Sequence, residues 1–356
     1  LEAVYEEYNI GLANDGEKEW VAMSKKLFPT HPYGTQTTIG TQEHLKNPSI
    51  VNIKNYFNRY YVPNNIAICM AGDFNPDETI AIIDKYFGQW KPSTNLTRPE
   101  FPAQSKITAQ RDTTVVGQDA ENLMMAWRFK GENDMQSDTL DLVRHLLYNG
   151  QAGLIDINLL QPMKVQDVGV DFDGLHDYSA FIIEASPLHG QTLQQVKKLL
   201  LEQINKLARG EFSNQLLPAV MANKKLHYFE DLQNNILRAS FMVHAFVNDQ
   251  RWSDVALQLD RQAKITKQDI QRFVSQHFGE NNLVCVYKRQ GVDSTLKKIE
   301  KPIITPIPAN REYESALLKS IRLSKTTPIQ PKFLDFSKEL SLGKKVNGMP
   351  LIYKRN

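Results

Sequence analysis

Apolar residues recur at helical spacing through several stretches of the chain. Asn75-Pro76-Asp77-Glu78 opens one of them. Asn75 suits an N-cap, Pro76 the first helical position, and the two acids the positive end of the helix dipole. Ile80, Ile83 and Phe87 follow on one helical face, and Gly88 predicts the stop. Thr192 with Gln195 reads as a capping box. Leu193, Val196, Leu200, Ile204 and Leu207 form the apolar stripe of that helix, and Gly210 ends it. Leu1 to Glu7 is acidic and helix-like. Continuous apolar runs predict strands at Ile66–Ala71, Asn122–Arg128, Tyr178–Ala185 and Leu283–Tyr287.

One pattern occurs twice. Ser49 to Cys69 and Thr266 to Val286 align at a constant offset, with Ile53 on Ile270, Tyr56 on Phe273, Tyr61 on Phe278, and Asn64-Asn65 on Asn281-Asn282. Each copy is an amphipathic helix ending in an aromatic, an Asn-Asn turn and an apolar strand, an order that predicts duplication. Two related α+β domains follow, 1–104 and 105–291, dividing near the Pro-containing stretch Lys91–Gln104. Strands and helices interleave without a Gly-rich βα turn, which favours α+β over a doubly wound nucleotide fold. Past Gly291, five prolines between Lys301 and Pro331 predict an extended linker over 292–338. Leu342 to Lys354 reads as strand, Asn-Gly turn and strand, the opening hairpin (339–356) of a third domain.

Composition narrows the function. A chain of 356 residues exceeds the size at which single cores stop growing, and 41% hydrophobic with 23% charged residues is ordinary for a soluble globular protein. A net charge of +2 gives no electrostatic case for nucleic acid. No apolar run approaches the ~20 residues that span a bilayer. The opening residues resemble neither a signal nor a transit peptide, and a start inside a helix leads us to expect a fragment. Cys69 and Cys285 lie in apolar runs and read as buried free thiols. Asp171-Phe172-Asp173-Gly174 has acids at metal-like spacing, but an EF-hand glutamate is missing, so a loop turn is expected. His31-Pro32-Tyr33-Gly34 reads as a structural turn, and Tyr56, Tyr60 and Tyr61 as core and interface aromatics.

Taken as an ordered set, several segments resemble the pitrilysin/insulinase family of zinc metallopeptidases. They are Glu7-Tyr8-Asn9, His31-Pro32-Tyr33-Gly34, Ile39-Gly40-Thr41, Tyr60-Tyr61-Val62-Pro63-Asn64-Asn65, Gly72-Asp73-Phe74 and Val346-Asn347-Gly348. The resemblance implies a LuxS/metallohydrolase-like fold, with antiparallel-rich sheets packed by helices. It implies zinc held by two histidines of an inverted HxxEH motif and by a glutamate on a second helix. It also implies hydrolysis of peptides or unfolded polypeptides in an enclosed chamber. By this resemblance Glu7 is the third zinc ligand, because Ala3-Val4-x-x-Glu7 followed by Asp15-Gly16 matches the family's segment; Glu6 is the fallback.

The HxxEH motif itself is absent. None of the eight histidines has a second histidine four positions away with a glutamate between them. Residues 1–104 are therefore expected to be the C-terminal half of the zinc-bearing domain and 105–291 a second homologous domain. The fragment is expected to have no catalytic residue of its own, to bind no zinc usefully, and to associate, as a homodimer or otherwise, through its truncated face. A non-catalytic scaffold or partner subunit of the same family is the alternative. Bacterial periplasm and cytoplasm both fit.

Overall fold

The computed structural model describes residues 2–46, 48–294, 312–331, 333, 335–343, 345 and 347–354. They form two compact units, Leu1–Pro302 and Ile303–Asn356.

The first unit begins with helices α1 (Glu2–Ala13) and α2 (Asp15–Leu27), short turns α3 (Pro32–Thr35) and α4 (Gln42–Lys46), then α5 (Ile50–Tyr60) and α6 (Pro76–Phe87). Strands β1 (Arg111–Gly117) and β2 (Asn122–Lys130), helix α7 (Gln136–Leu147), and strands β3 (Asp167–Gly174) and β4 (Tyr178–Ser186) follow. Helices α8 (Leu193–Arg209), α9 (Leu216–Asp231), α10 (Asn235–Val247), α11 (Trp252–Ala256), α12 (Gln258–Gln262) and α13 (Lys267–His277) lead into strand β5 (Leu283–Gln290).

The sheet order is β1-β5-β2-β4-β3, with β1 and β5 parallel and the other pairs antiparallel. The fold is thus a mixed α/β one with a mostly antiparallel sheet. Strand β5 enters between β1 and β2, and the short connection between those two crosses its C-terminal end. There Gly291 N donates to Gly117 O (2.7 Å), Gln290 Nε2 to Gln118 O (3.0 Å) and Lys288 Nζ to Ala120 O (2.7 Å).

Period-two alternation splits the strands into two buried faces. Leu123, Met125, Trp127 and Cys285 join α7, α8 and α13 in the main core. Met124, Ala126, Val284 and Val286 face Met23 and Leu27 of α2 in a second core. Burial on both sides explains why β2 and β5 read as unbroken apolar runs. Helix α8 has the expected Thr192–Gln195 capping box, the five stripe residues are buried, and Gly210 closes it at φ 72°.

Three expectations are corrected. Ile66–Ala71 is extended at its start (Ile66 φ −130°, ψ 139°) but has no ladder partner among the described residues, so it is not a strand. An isolated extended run has no cross-strand hydrogen bonds to hold it. Helices α5, capped by Ser49, and α6, capped as expected by Asn75, likewise bury no residue. Cys69 is accordingly half-buried, whereas Cys285 is buried. Finally, the Asp171–Gly174 run lies in strand β3 rather than in a turn. Residues 1–104 and 105–291 share one compact unit, because α2 packs on β1, β2 and β5.

The docking of α2 rests on a buried ion pair. Asp15 Oδ2 lies 3.1 Å from Lys288 Nζ and accepts from Asp119 N at 2.9 Å. Burial alone would raise the Asp15 carboxyl, but the Asp119 N–H and the Lys288 ammonium outweigh it and hold it down at about 2. Gly117 makes room for this carboxylate, since a Cβ there would sit 1.8 Å from Asp15 Oδ1.

In the second unit, part of the expected linker (295–311) lies outside the described residues. Ser315 caps a helix, α14 (Ala316–Leu323), within the stretch read as extended. Leu317, Leu318 and Ile321 share its apolar side, a helical period that the scattered prolines on either side obscure. After α15 (Phe336–Glu339), β6 (Ser341–Leu342) pairs antiparallel with β7 (Ile352–Tyr353). Asn347 and Gly348, at φ 49° and 83°, form the expected turn between them.

Gly117→Ala should displace Asp15 and leave Lys288 buried without its carboxylate, at a cost of about 3–5 kcal/mol in urea unfolding. In an Asp15→Ala background the same change should cost much less, which a double-mutant cycle would read.

Candidate functional site

Glu7 sits on the exposed side of α1, a helix that buries Tyr5. Glu6 is exposed as well. Among the described residues, no three histidine, cysteine, aspartate or glutamate side chains are grouped so that they could hold a metal ion. The described residues by themselves therefore offer no ligand set for a zinc ion.

Two other polar groupings are built by the fold. The first lies on the α2 side of the sheet. Helix α2 covers β1, β5 and β2, and Ala180 and Ile182 of β4 join the same core, which leaves the β3 edge and Glu184 open. Gly169, Asp171 and Asp173 alternate outward on β3, opposite Glu184, Ile182 and Ala180 of β4. Gly169, Asp171, Asp173, Ile182 and Glu184, with Trp20 and Phe172, line a cavity of about 330 Å³. Burial, then Glu132 and Asp171, raises Asp173; burial, then Asp171, raises Glu184. At the margin, Glu19 of α2 is buried and accepts from Asn122 Nδ2 at 3.0 Å. Burial, opposed by that hydrogen bond but helped by Glu184, lifts Glu19 to about 7.

The second is a chain of histidines and carboxylates where the β3–β4 turn meets the 28–33 segment. Pro32 starts α3, and Gly34 comes so near the preceding chain that a Cβ would lie 2.3 Å from Phe28 O. This tight turn buries His31 against Tyr33, Phe101 and Tyr178. His31 Nδ1 accepts from Tyr33 N (3.3 Å), so Nε2 carries the proton and donates to Asp177 Oδ2 (3.0 Å). Asp177 Oδ1 meets His176 Nδ1 at 2.6 Å, and His176 Nε2 meets Asp249 Oδ2 at 3.1 Å. Arg98 donates to the same Asp249 oxygen at 3.3 Å. Asp177 and Asp249 raise His176. The expected turn at His31–Gly34 is present, but its histidine is also the buried end of a network that spans the sequence from 31 to 249. Spacing gives no signal for that network. The acidic face could have been found from the Asp-x-Asp alternation, had the run been read as a strand.

Neither grouping has the donor set of the zinc site that the resemblance implies. Comparison with known proteins decides the family. Residues 50–224 match the model described as the peptidase M16 inactive domain. This segment belongs to the M16 family. The M16 match starts at the first residue of α5 and ends within α9, so it runs across residues 104 and 105. The zinc protease PqqE of Helicobacter pylori is 23% identical over 212 residues, covering 58% of this chain and 47% of that protein. An uncharacterized zinc protease, YmxG of Bacillus subtilis, is 26% identical over 225 residues, covering 60% and 51%. The chain thus spans about half the length of the curated relatives it matches. A solved protease from Helicobacter pylori superimposes with a TM-score of 0.75 at 18% identity, over 81% of this chain and 70% of that one, which establishes a shared fold. No helix among the described residues is long and apolar enough to cross a membrane.

Two pH responses follow. Glu19 is raised in the folded state, so its ionisation costs stability that is lost as pH climbs from about 4.5 through about 7. Glu19→Gln should leave thermal stability little changed at pH 5 and raise it at pH 8, on the order of 2 kcal/mol. The His176 contacts act in another range: their contribution is full below the ordinary imidazole value and fades as pH rises through the raised one. Asp249→Asn keeps a residue type that tolerates the left-handed φ of 51°. It should lower the melting temperature at pH 6, by less than about 1 kcal/mol in stability, with a smaller effect at pH 9 where only Arg98 is affected.

Proposed function

We propose that this chain is part of a zinc metalloendopeptidase of the M16 type, and that its activity belongs to a larger assembly than the chain itself. Peptides or unfolded polypeptides are the substrates on this reading, hydrolysed in an enclosed chamber. Residues 1–104 supply the back part of the zinc-bearing domain, 105–291 a second homologous domain, and 339–356 the opening of a third. Glu7 is the third metal ligand, with Glu6 as the fallback. The observation that carries the reading is the M16 match of residues 50–224, extended by two zinc-protease relatives. The position of Glu7, exposed on a helix anchored by buried Tyr5, suits a carboxylate that completes a site from outside.

A lone carboxylate does not make a zinc site. Structural and catalytic zinc sites need three or four protein ligands held together, and the described residues offer no such group. The chain alone is expected to bind zinc weakly and to cleave nothing. The second reading is a non-catalytic scaffold or partner subunit. It is favoured by the absence of HxxEH from the 356 residues and by the family description, which is that of an inactive domain.

Metal content separates the two. A longer polypeptide joining this chain to an M16 segment bearing HxxEH should hold one zinc and hydrolyse peptides. Glu7→Gln in it should weaken zinc by more than the roughly 10–100-fold typical of losing an outer-shell partner. Stoichiometric zinc in this chain alone, or full zinc affinity in the Glu7→Gln polypeptide, would contradict the assignment.

A further inference from the structure

The internal repeat extends well beyond the two segments that reveal it. Helix α5 (Ile50–Tyr60) falls on α13 (Lys267–His277) with both bounds shifted by the same 217 positions, and the caps Ser49 and Thr266 keep that step. The 3₁₀ turns Pro63–Asn65 and Glu280–Asn282 keep it as well. Carried towards the N-terminus, the step sets α1 inside α9, α2 over most of α10, and α4 within one residue of α12. Four helices in one order at one step make two copies of one unit. The step puts Lys224 of α9 where the first copy has Glu7.

Lys224 Nζ donates to Asp141 Oδ2 on α7, which also accepts from Gln262 Nε2 at 2.8 Å. The Asp141 and Lys224 side chains keep only 16% and 17% of their surface, so this is not a surface pair of little consequence. One turn on, His145 Nδ1 lies 2.8 Å from Asp141 O. A carbonyl can only accept, so Nδ1 carries the proton and Nε2 keeps its lone pair. That is the tautomer of a metal-binding imidazole, its other nitrogen tied to a backbone carbonyl. Here Nε2 meets Arg144 Nη2 at 3.2 Å, and Asp141 Oδ1 meets the same nitrogen at 3.3 Å. Carboxylate and imidazole thus have the chemistry and the one-turn spacing of metal ligands, and both are met by the chain's own cations. Beside them, Gln262 is fully buried, and its Oε1 has no hydrogen-bond partner among the described residues.

We propose that Asp141, His145 and Lys224 form a cation site that the chain fills itself, with the Lys224 ammonium in the place a divalent metal would hold. Its charge neutralises Asp141, and no third ligand is left for a metal. The second copy therefore keeps the form of such a site without needing an ion. Exchanging Lys224 for a ligand should open it. Glutamate is one bond shorter than lysine, and zinc–oxygen distances of about 2.0–2.2 Å span the gap that remains. The correspondence with Glu7 rests on the metal-ligand reading given above. The test leaves Glu7 in place and alters only residues of α7 and α9, so the two can fail separately.

The test follows zinc by equilibrium dialysis and stability by thermal unfolding, on the full chain and its Lys224→Glu, Lys224→His and Lys224→Met variants. The unaltered chain should hold no zinc that Asp141→Asn removes. Lys224→Glu and Lys224→His should each bind one zinc. The gain over the unaltered chain should be roughly 100-fold or more, since a ligand counts for more than outer-shell partners worth about 10–100-fold. Both should melt lower than the unaltered chain in EDTA and regain stability with zinc. Lys224→Met keeps an apolar stem without the charge, and should melt lower and gain nothing from zinc. His145→Ala in the Lys224→Glu background should abolish the gain, which locates the ion. Lys224→His places no second carboxylate beside Asp141, and so decides the matter if Lys224→Glu does not fold. Zinc held by the unaltered chain through Asp141 and His145, or no gain of zinc in either ligand variant, would overturn the proposal. So would a gain that survives His145→Ala.

Discussion

Strand β5 has to be enclosed on every side, and most of the first unit follows from meeting that demand. Its apolar side chains point to both faces, so it needs helices above and below as well as strands at both edges. β1 and β2 supply the edges; α7, α8 and α13 cover one face and α2 the other. Lys288, near the strand's end, is the polar exception. A buried ammonium is tolerable only with a carboxylate and further acceptors. Asp15 and the carbonyl of Ala120 provide them, and this fixes where α2 must begin.

The cover on the α2 side is incomplete, and the chemistry collects where it stops. One helix spans three of the five strands. The open β3 edge carries exposed Asp171 and half-buried Asp173, with exposed Glu184 of β4 beside them and Glu19 buried at the boundary. Desolvation without a cation favours the protonated carboxyl. Where the β3–β4 turn packs, the balance is reversed: Asp177 and Asp249 keep the His176 imidazole charged to higher pH. Asp15 and Asp141, paired with Lys288 and with His145 and Lys224, are held low and oppose both in acid.

Local signals at helix ends were legible where they were strong, though α14 was missed inside a stretch read as extended. Asn75, Thr192 and Gly210 each act through the backbone groups at a helix end, and those are satisfied within a few residues. Strands were less legible, because a strand exists only with its neighbours. Leu283–Tyr287 and Ile66–Ala71 look alike in sequence, and only the first has strands beside it. The Asp171–Gly174 run has metal-like acid spacing without an EF-hand glutamate, which predicts a loop turn, whereas pairing with β4 makes it an edge strand. His31 was placed in its turn by the neighbouring proline and glycine. Its partner Asp177 lies 146 positions away, and no short-range pattern reaches that far. Family membership was readable because it rests on the order of several short segments rather than on any one contact.

The insertion of β5 between two strands joined by a short connection sets the order in which the first unit can be assembled. β1 and β2 leave the ribosome long before their central neighbour, since Arg111 pairs with Val284 about 170 residues later. Until then the middle of the sheet stays open, and α2, made before any of these strands, has no finished surface to lie on. Such non-local closure slows folding and exposes apolar strand edges to neighbouring chains during synthesis. A helix made ahead of the whole sheet is thus among the last elements to find its place.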